Sequence, residues 1–558
     1  MRKHDNPAEE TPTGKPGNCL PLPSVDSRHL DTSTRNAYFH AAWKREFAVQ
    51  ANRRIVSMEG ESKRTVLLTV RYAAAGIGRQ ALNFLLFAVW AHYLTPSDFG
   101  VLALLVISGT LVLRSVETPV GYALQRFYFR PDYEDRRDVL LFNLTLFVAA
   151  NAVAVLFLYY GVGALVARWL LKDAALASTV RLHGLWVAFS ITTSLSGVFV
   201  LLLERARIFN AASLLGVVAT GVVSIALLTT THLGVNAVII GQASGLALQT
   251  LICLPVLRGH LRPTLSWSAL REPLRFGYTA LPSGYSNILI IAGDRYVLQF
   301  LKTIYEVGLY SFACNIGNLV TLAIGTPVIG GVWPTIRRME ASPDRQRAFV
   351  RQMTTFVCVA SVAMAVFLSV FSSEAIRVLA WGKPEFAAAA IVVPYLAFSQ
   401  ALQGLAAFTE AGISLGNRPA YISGIAITCA AANIGLNLLL VPQYGLLGAG
   451  WATLTSFVLW NALHVYFSRR FYRLRFDVRR LVHAGIAGAL VIGVARAIPG
   501  ELSLLIVCPL KAVLVLAYPV LLMATRFLTP DEWQRVASLM RDARRGGIKS
   551  MMVALTQP

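Results

Sequence analysis

Apolar residues in this chain come in long continuous runs, unlike the one-face or alternating patterns of soluble domains. A helix needs about 20 consecutive apolar residues to cross the hydrocarbon core of a bilayer. Runs of this kind predict spans near 66–92, 98–123, 139–160, 183–203, 211–230, 234–256, 276–301, 305–333, 352–371, 387–413, 420–440, 445–468, 481–498 and 503–525. Helices are expected rather than barrel strands, because no run alternates with a two-residue period. The fold class expected is therefore an all-α integral membrane protein with about fourteen transmembrane helices. The stretch 161–182 is ambiguous and is counted as a connecting loop.

The polar segments between runs set the orientation. Alternate loops, beginning with 124–138, carry 22 lysines and arginines, whereas the opposite set, beginning with 93–97, carries 6. The positive-inside rule then predicts a cytoplasmic arginine-rich face and cytoplasmic termini. Residues 1–65 are polar, lack the apolar core of a signal peptide, and read as a disordered cytoplasmic tail. Met58 directly precedes the first run and is an expected alternative start. In the tail 527–558, Thr529-Pro530-Asp531-Glu532 has the form of a helix start. Trp533, Val536, Ala537 and Met540 would then lie opposite Arg535, Arg541, Arg544 and Arg545, as in an interfacial or bundle-docked amphipathic helix.

The chain also repeats itself. Asp98-Phe99-Gly100-Val101-Leu102 resembles Glu306-Val307-Gly308-Leu309-Tyr310, and Thr118-Pro119-Val120 recurs as Thr326-Pro327-Val328, both 208 residues apart. Arg207 and Gly234 match Arg418 and Gly445 at an offset of 211. The repeat predicts a six-helix lobe at 66–260, a second at 261–470, and two further helices at 471–526. Six spans per lobe is an even number, so both lobes point the same way and are related by an axis along the membrane normal. Pro119 and Pro327 would each remove a backbone donor and kink their helices at equivalent places, as a gate or as a structural bend.

Composition supports the membrane reading. Of 558 residues, 55% are hydrophobic and only 14% charged, and the mean hydropathy is +0.57. Water-facing surfaces need more charge than that. The net charge of +22 does not point to nucleic acid, because the arginines are spread over short loops rather than gathered on one face. Six cysteines lack metal-ligand spacing, and five lie within apolar runs as packing residues. There is no phosphate-binding GxxxxGK[ST] loop, HExxH or GxSxG, so no metal, cofactor or hydrolytic chemistry is expected.

Charges inside a span are costly and mark functional candidates. Arg79 sits near the middle of the first span with no carboxylate on its own helix to neutralise it. Arg114 and Glu117 are three residues apart on one helical face, either as a cavity pair or as an internal salt bridge. Asp294 and Arg295 read as a substrate-facing or coupling-ion pair, or as a local pair near the interface. Glu410 is a second coupling-ion candidate that is near enough to a span end to snorkel. His92 and His464 are expected to snorkel, and Lys511 falls about a third of the way into the last span.

Two segments carry a family resemblance. Leu94-Thr95-Pro96-Ser97-Asp98-Phe99-Gly100 resembles the L-x-P-x-D-F-G signature of polysaccharide transporters in the multidrug/oligosaccharidyl-lipid/polysaccharide (MOP) flippase superfamily. Asn433–Gly450 (NIGLNLLLVPQYGLLGAG) resembles a second segment of that family. The lipid-II-exporting branch uses arginines in its first two helices. Arg79 and Arg114 have comparable depth, without a position-by-position motif match. The resemblance implies flipping of a polyprenyl-pyrophosphate-linked oligosaccharide across the inner membrane for O-antigen, lipopolysaccharide or exopolysaccharide assembly. It implies no enzyme activity. The expected partners are the lipid-linked glycan, membrane lipids, and the polymerase and chain-length machinery. The alternatives are a cation-coupled drug exporter of the same superfamily and a membrane enzyme or scaffold of glycan assembly.

Overall fold

The structure, a computed structural model, describes residues 76–527 except 77, 204, 326–327, 329–331, 334, 338, 340–341, 475, 499–503 and 526. The N-terminal tail with Met58, the amphipathic segment after Thr529, and Thr326 and Pro327 lie outside these residues. Among the described residues there is no strand.

The first half of the chain forms α1 (78–93), α2 (Pro96–Phe127), α3 (Arg137–Trp169), α4 (Ala177–Leu202), α5 (Ala206–Thr230) and α6 (Val235–Arg258). A short helix, α7 (Trp267–Tyr278), follows, and then α8 (Leu281–Leu301), α9 (Ile304–Gly317) and α10 (Pro343–Val370). The remainder is α11 (Ser372–Leu379), α12 (Val393–Thr409), α13 (Ala411–Leu415), α14 (Pro419–Tyr444), α15 (Leu446–Tyr472), α16 (Val478–Arg496) and α17 (Leu504–Ala524).

Ten helical stretches among the described residues are long and apolar enough to cross a membrane, or eleven with the pair Pro384–Ile391 and Val393–Leu415, bent by 53°. One of the ten, Pro419–Tyr472, is 54 residues long. At about 1.5 Å per residue it would be far longer than a bilayer is thick. It is instead a hairpin of α14 and α15, folded at Gly445, whose φ of +53° is open to glycine and strained for other residues.

The sequence repeat has a structural cause at three of its matched pairs. Asp98 and Glu306 close capping boxes at the starts of α2 and α9. The Asp98 N–H donates to Thr95 Oγ1 at 3.3 Å, and the Thr95 N–H donates to Asp98 Oδ2 at 2.9 Å. Glu306 and Thr303 exchange the same two bonds, both at 3.3 Å. Each box satisfies helix N-terminal donors that lipid could not. Gly100 and Gly308 lie where α2 and α9 cross. A Cβ on Gly308 would sit 1.7 Å from the Pro96 carbonyl oxygen, and one on Gly100 2.1 Å from that of Ile304. Only glycine allows this backbone approach. Gly234 has a φ of +51°, almost that of Gly445, and both stand immediately before a helix.

Several predicted boundaries need correction. The predicted loop 161–182 is mostly helix: α3 continues to Trp169 and α4 begins at Ala177. The two helices pack closely, with Gly184 against Tyr159 and Gly163 against Arg181, so the apolar run continues past residue 160. The predicted arginine-rich loop 257–275 contains most of α7, which buries Ala269, Leu270, Pro273, Leu274 and Gly277 and exposes Arg271, Glu272 and Arg275. Its apolar side rests on α2 and α3. His464 does not snorkel. It is fully buried and accepts a hydrogen bond from Trp460 Nε1 at 3.0 Å.

Candidate functional site

The candidate charges separate into distinct environments. Asp294 is 1% exposed, and its neighbours are all donors. Tyr310 Oη donates to Asp294 Oδ2 at 2.5 Å, Thr453 Oγ1 donates to the same oxygen at 3.1 Å, and the Arg295 N–H donates to Oδ1 at 2.9 Å. Arg295 Nη1 lies 3.8 Å from Oδ1, its Nε donates to Ser311 Oγ at 3.1 Å, and its guanidinium stands 5.8 Å from the centre of the Tyr310 ring. The cluster ties α8 to α9 and α15. A buried carboxylate is tolerable only when its lone pairs are occupied in this way.

From α14, the fully buried Asn433 donates through Nδ2 to Ser456 Oγ of α15, one turn from Thr453, at 3.2 Å, and Asn437 Nδ2 donates to Asn433 Oδ1 at 3.2 Å. The motif segment NIGLN thus meets α15 through Asn433, with Asn437 four residues further along the same helical face.

Arg114 and Glu117 form a different kind of pair. Arg114 Nη1 lies 3.2 Å from Glu117 Oε2, with the side chains 44% and 29% exposed. Arg114 belongs to an exposed edge of α2 that continues through Tyr122 and Gln125. Glu117 also lines a cavity of about 10 Å³ among Val120, Leu124, Val148, Ile191 and Ser194, room for about one water. Arg79 is half-buried on α1 and makes no ion pair or hydrogen bond among the described residues. The structure thus does not gather Arg79, Arg114, Glu117, Asp294 and Arg295 into one pocket. Asp294 and Arg295 are knotted together between helices, while the arginines of α1 and α2 keep their charge accessible.

Glu410 lies at the junction of α12 and α13, half-buried, with no side-chain partner among the described residues. Lys511 pairs with Glu374 of α11 at 2.7 Å, the side chains 13% and 17% exposed. Pro119 is internal to α2 and is pressed by α7: a Cβ on Gly277 would lie 2.1 Å from the Pro119 carbonyl oxygen.

The α2–α8 seam holds residues the sequence did not single out. Ser108 Oγ and Tyr296 Oη are 2.8 Å apart, and Ser115 Oγ and Tyr285 Oη 2.5 Å. Ser108 and Ser115 are seven residues apart, two helical turns, and so share the face that meets α8. Isolated hydroxyls in apolar runs give no sequence signal, because their partners lie 170 and 188 residues away.

This arrangement has close counterparts among solved structures. "Lipid II flippase MurJ, inward closed conformation" aligns with a TM-score of 0.67 at 13% identity, over 82% of this chain and 99% of that one. An inward-facing multidrug resistance MATE transporter of the MOP superfamily aligns at 0.62 and 13% identity, over 72% of this chain and 98% of that one. The fold is thus shared with these solved MOP-superfamily structures. Residues 89–382 match the polysaccharide biosynthesis protein family, and the chain belongs to it. A "Probable low-salt glycan biosynthesis flippase Agl15" from Haloferax volcanii is 22% identical over 220 residues, 38% of this chain and 46% of the relative. The chain thus spans about half the length of that relative.

Proposed function

We propose that the protein flips a polyprenyl-pyrophosphate-linked oligosaccharide from the cytoplasmic to the periplasmic leaflet of the inner membrane. It would feed O-antigen, lipopolysaccharide or exopolysaccharide assembly, by alternating access of two six-helix lobes, 66–260 and 261–470, with both termini in the cytoplasm. The polymerase and chain-length machinery would act on the exported product. The observation that carries the reading is the accessible cationic edge of α2 at Arg114, together with Arg79 on α1, which has no partner among the described residues, within a member of a polysaccharide biosynthesis family. A pyrophosphate needs charge-assisted donors inside the membrane, and the prenyl chain can stay in lipid. Among the carboxylates, Glu410 is the more available for a coupling ion, because Asp294 would first have to release Tyr310 and Thr453. Pro119 serves as a bending point of α2.

The test is genetic and biochemical. Deleting the gene should cause lipid-linked oligosaccharide to accumulate in the cytoplasmic leaflet. Arg79→Ala and Arg114→Ala, expressed at normal levels, should fail to restore export. Normal surface glycan in the deletion strain, with no accumulated intermediate, would overturn the reading.

A further inference from the structure

The turn between α1 and α2 is gripped by a segment nearly 300 residues further along the chain. Trp381 Nε1 donates to the Ala88 carbonyl of α1 at 2.9 Å, and the Trp381 ring packs 5.0 Å from His92. Lys383 Nζ donates to the Leu94 carbonyl, just past the end of α1, at 3.1 Å. That is where a cation best complements the exposed carbonyls of a helix C-terminus. Both donors belong to the strap Ser372–Ile391, which comprises α11, a tight turn and a short helical turn from Pro384. The tight turn places Trp381 at φ +53° and Gly382 at φ +76°. A bulky residue in the left-handed region is held there by its tertiary contacts.

The strap then inserts Phe386, fully buried, into a ring cluster. Its centroid lies 4.6 Å from Phe312 of α9 and 5.8 Å from Phe99 of α2, and Phe87 of α1 lies 4.8 Å from Phe312. Two contacts hold the strap to the second half of the chain. Tyr305 Oη, at the start of α9, donates to the Glu385 carbonyl at 2.9 Å, and Glu374 pairs with Lys511 of α17. Directly beneath the cluster is the Gly100–Gly308 crossing, a backbone contact with no side chain to lock it.

We propose that the strap Ser372–Ile391 is a latch that keeps this end of the transporter shut. Trp381 and Lys383 form its catch on the α1–α2 turn, Phe386 is its plug, and Tyr305 and Lys511 are its anchors on the second half. For α2 and α9 to part at Gly100 and Gly308, both donors must leave their carbonyls and the ring trio of Phe99, Phe312 and Phe386 must come apart. The Glu374–Lys511 anchor can stay in place, because the left-handed Gly382 supplies a hinge between it and Phe386, and an added Cβ there would meet nothing within 4 Å. The latch explains why Lys511 lies in an apolar helix: its charge is spent on holding the base of the strap. That this end is the exit side rests on the proposed orientation; the latching does not.

The test is hydrogen–deuterium exchange on the full chain in lipid nanodiscs. The double variant W381F/K383M removes both donors while keeping the bulk of both side chains. Amide exchange in peptides covering 92–101 and 304–310 should rise roughly tenfold or more, the loss expected of two hydrogen bonds. Exchange in the far end of α2, 118–127, should stay as in the parent chain, and K383R with Trp381 intact should remain near the parent. A rise confined to 372–391, or one spread evenly over all helices, would overturn the latch. Exchange at the α1–α2 turn does not depend on any glycan, so failure of the flippase reading would leave this result standing, and the reverse.

Discussion

Asp294–Arg295 and Arg114–Glu117 are both acid–arginine pairs inside apolar helices, and the sequence offers them as equivalent candidates. In the fold they are opposites. The first is buried, and its carboxylate accepts from Tyr310, Thr453 and the Arg295 backbone, so that it joins three helices. The second is a half-exposed pair within one helix, and its guanidinium pairs with no other element among the described residues. The difference shows that a charge within a span can serve either as an interhelical fastener or as an accessible ligand group. Which one it becomes depends on what the neighbouring helices bring to it. A carboxylate whose lone pairs are filled by protein donors is a poor receptor, and an arginine held by a single exposed carboxylate can exchange that partner for a phosphate.

The comparison can be broken by stability measurements. Asp294→Ala should have the largest effect, costing about 3–5 kcal/mol by leaving Arg295 buried without its countercharge. Thermal unfolding in detergent should show a clearly lowered midpoint, and an unchanged one would mean that the cluster fastens nothing. Tyr310→Phe removes one interhelical donor and should cost about 0.6–1.7 kcal/mol, the range for such bonds in membrane bundles. A loss equal to that of Asp294→Ala would show the hydroxyl to be the centre of the cluster. Glu117→Gln should be the mildest, shifting stability by less than about 1 kcal/mol, because surface-like pairs are worth little. A large destabilisation there would move Arg114–Glu117 into the fastener class and weaken its claim as a binding group.

Much of the architecture was legible along the chain. The apolar runs located helices, since length and continuity are one-dimensional properties, and the repeat of Asp98 and Gly100 as Glu306 and Gly308 marked equivalent places in α2 and α9. What failed was local. The run through residues 161–169 extended α3, because apolar helix continues where packing against α4 allows it. Helix α7 was hidden in a segment rich in arginine, since its short apolar face matters only once α2 and α3 are there to receive it. Of the candidate site, the charged residues could be picked out singly. Their partners Tyr310 and Thr453, and the seam pairs Ser108–Tyr296 and Ser115–Tyr285, could not.

The sequence alone determined that this protein lies in a membrane, that it is helical, and roughly where most of its long helices run, because transfer to lipid and backbone satisfaction each depend on residues close together in the chain. Only the tertiary structure decided that Asp294 is a fastener and Arg114 accessible, and that Trp381 and Lys383 grip Ala88 and Leu94. Those outcomes depend on hydrogen bonds and burial between residues far apart in sequence, and such contacts exist only once the helices have packed.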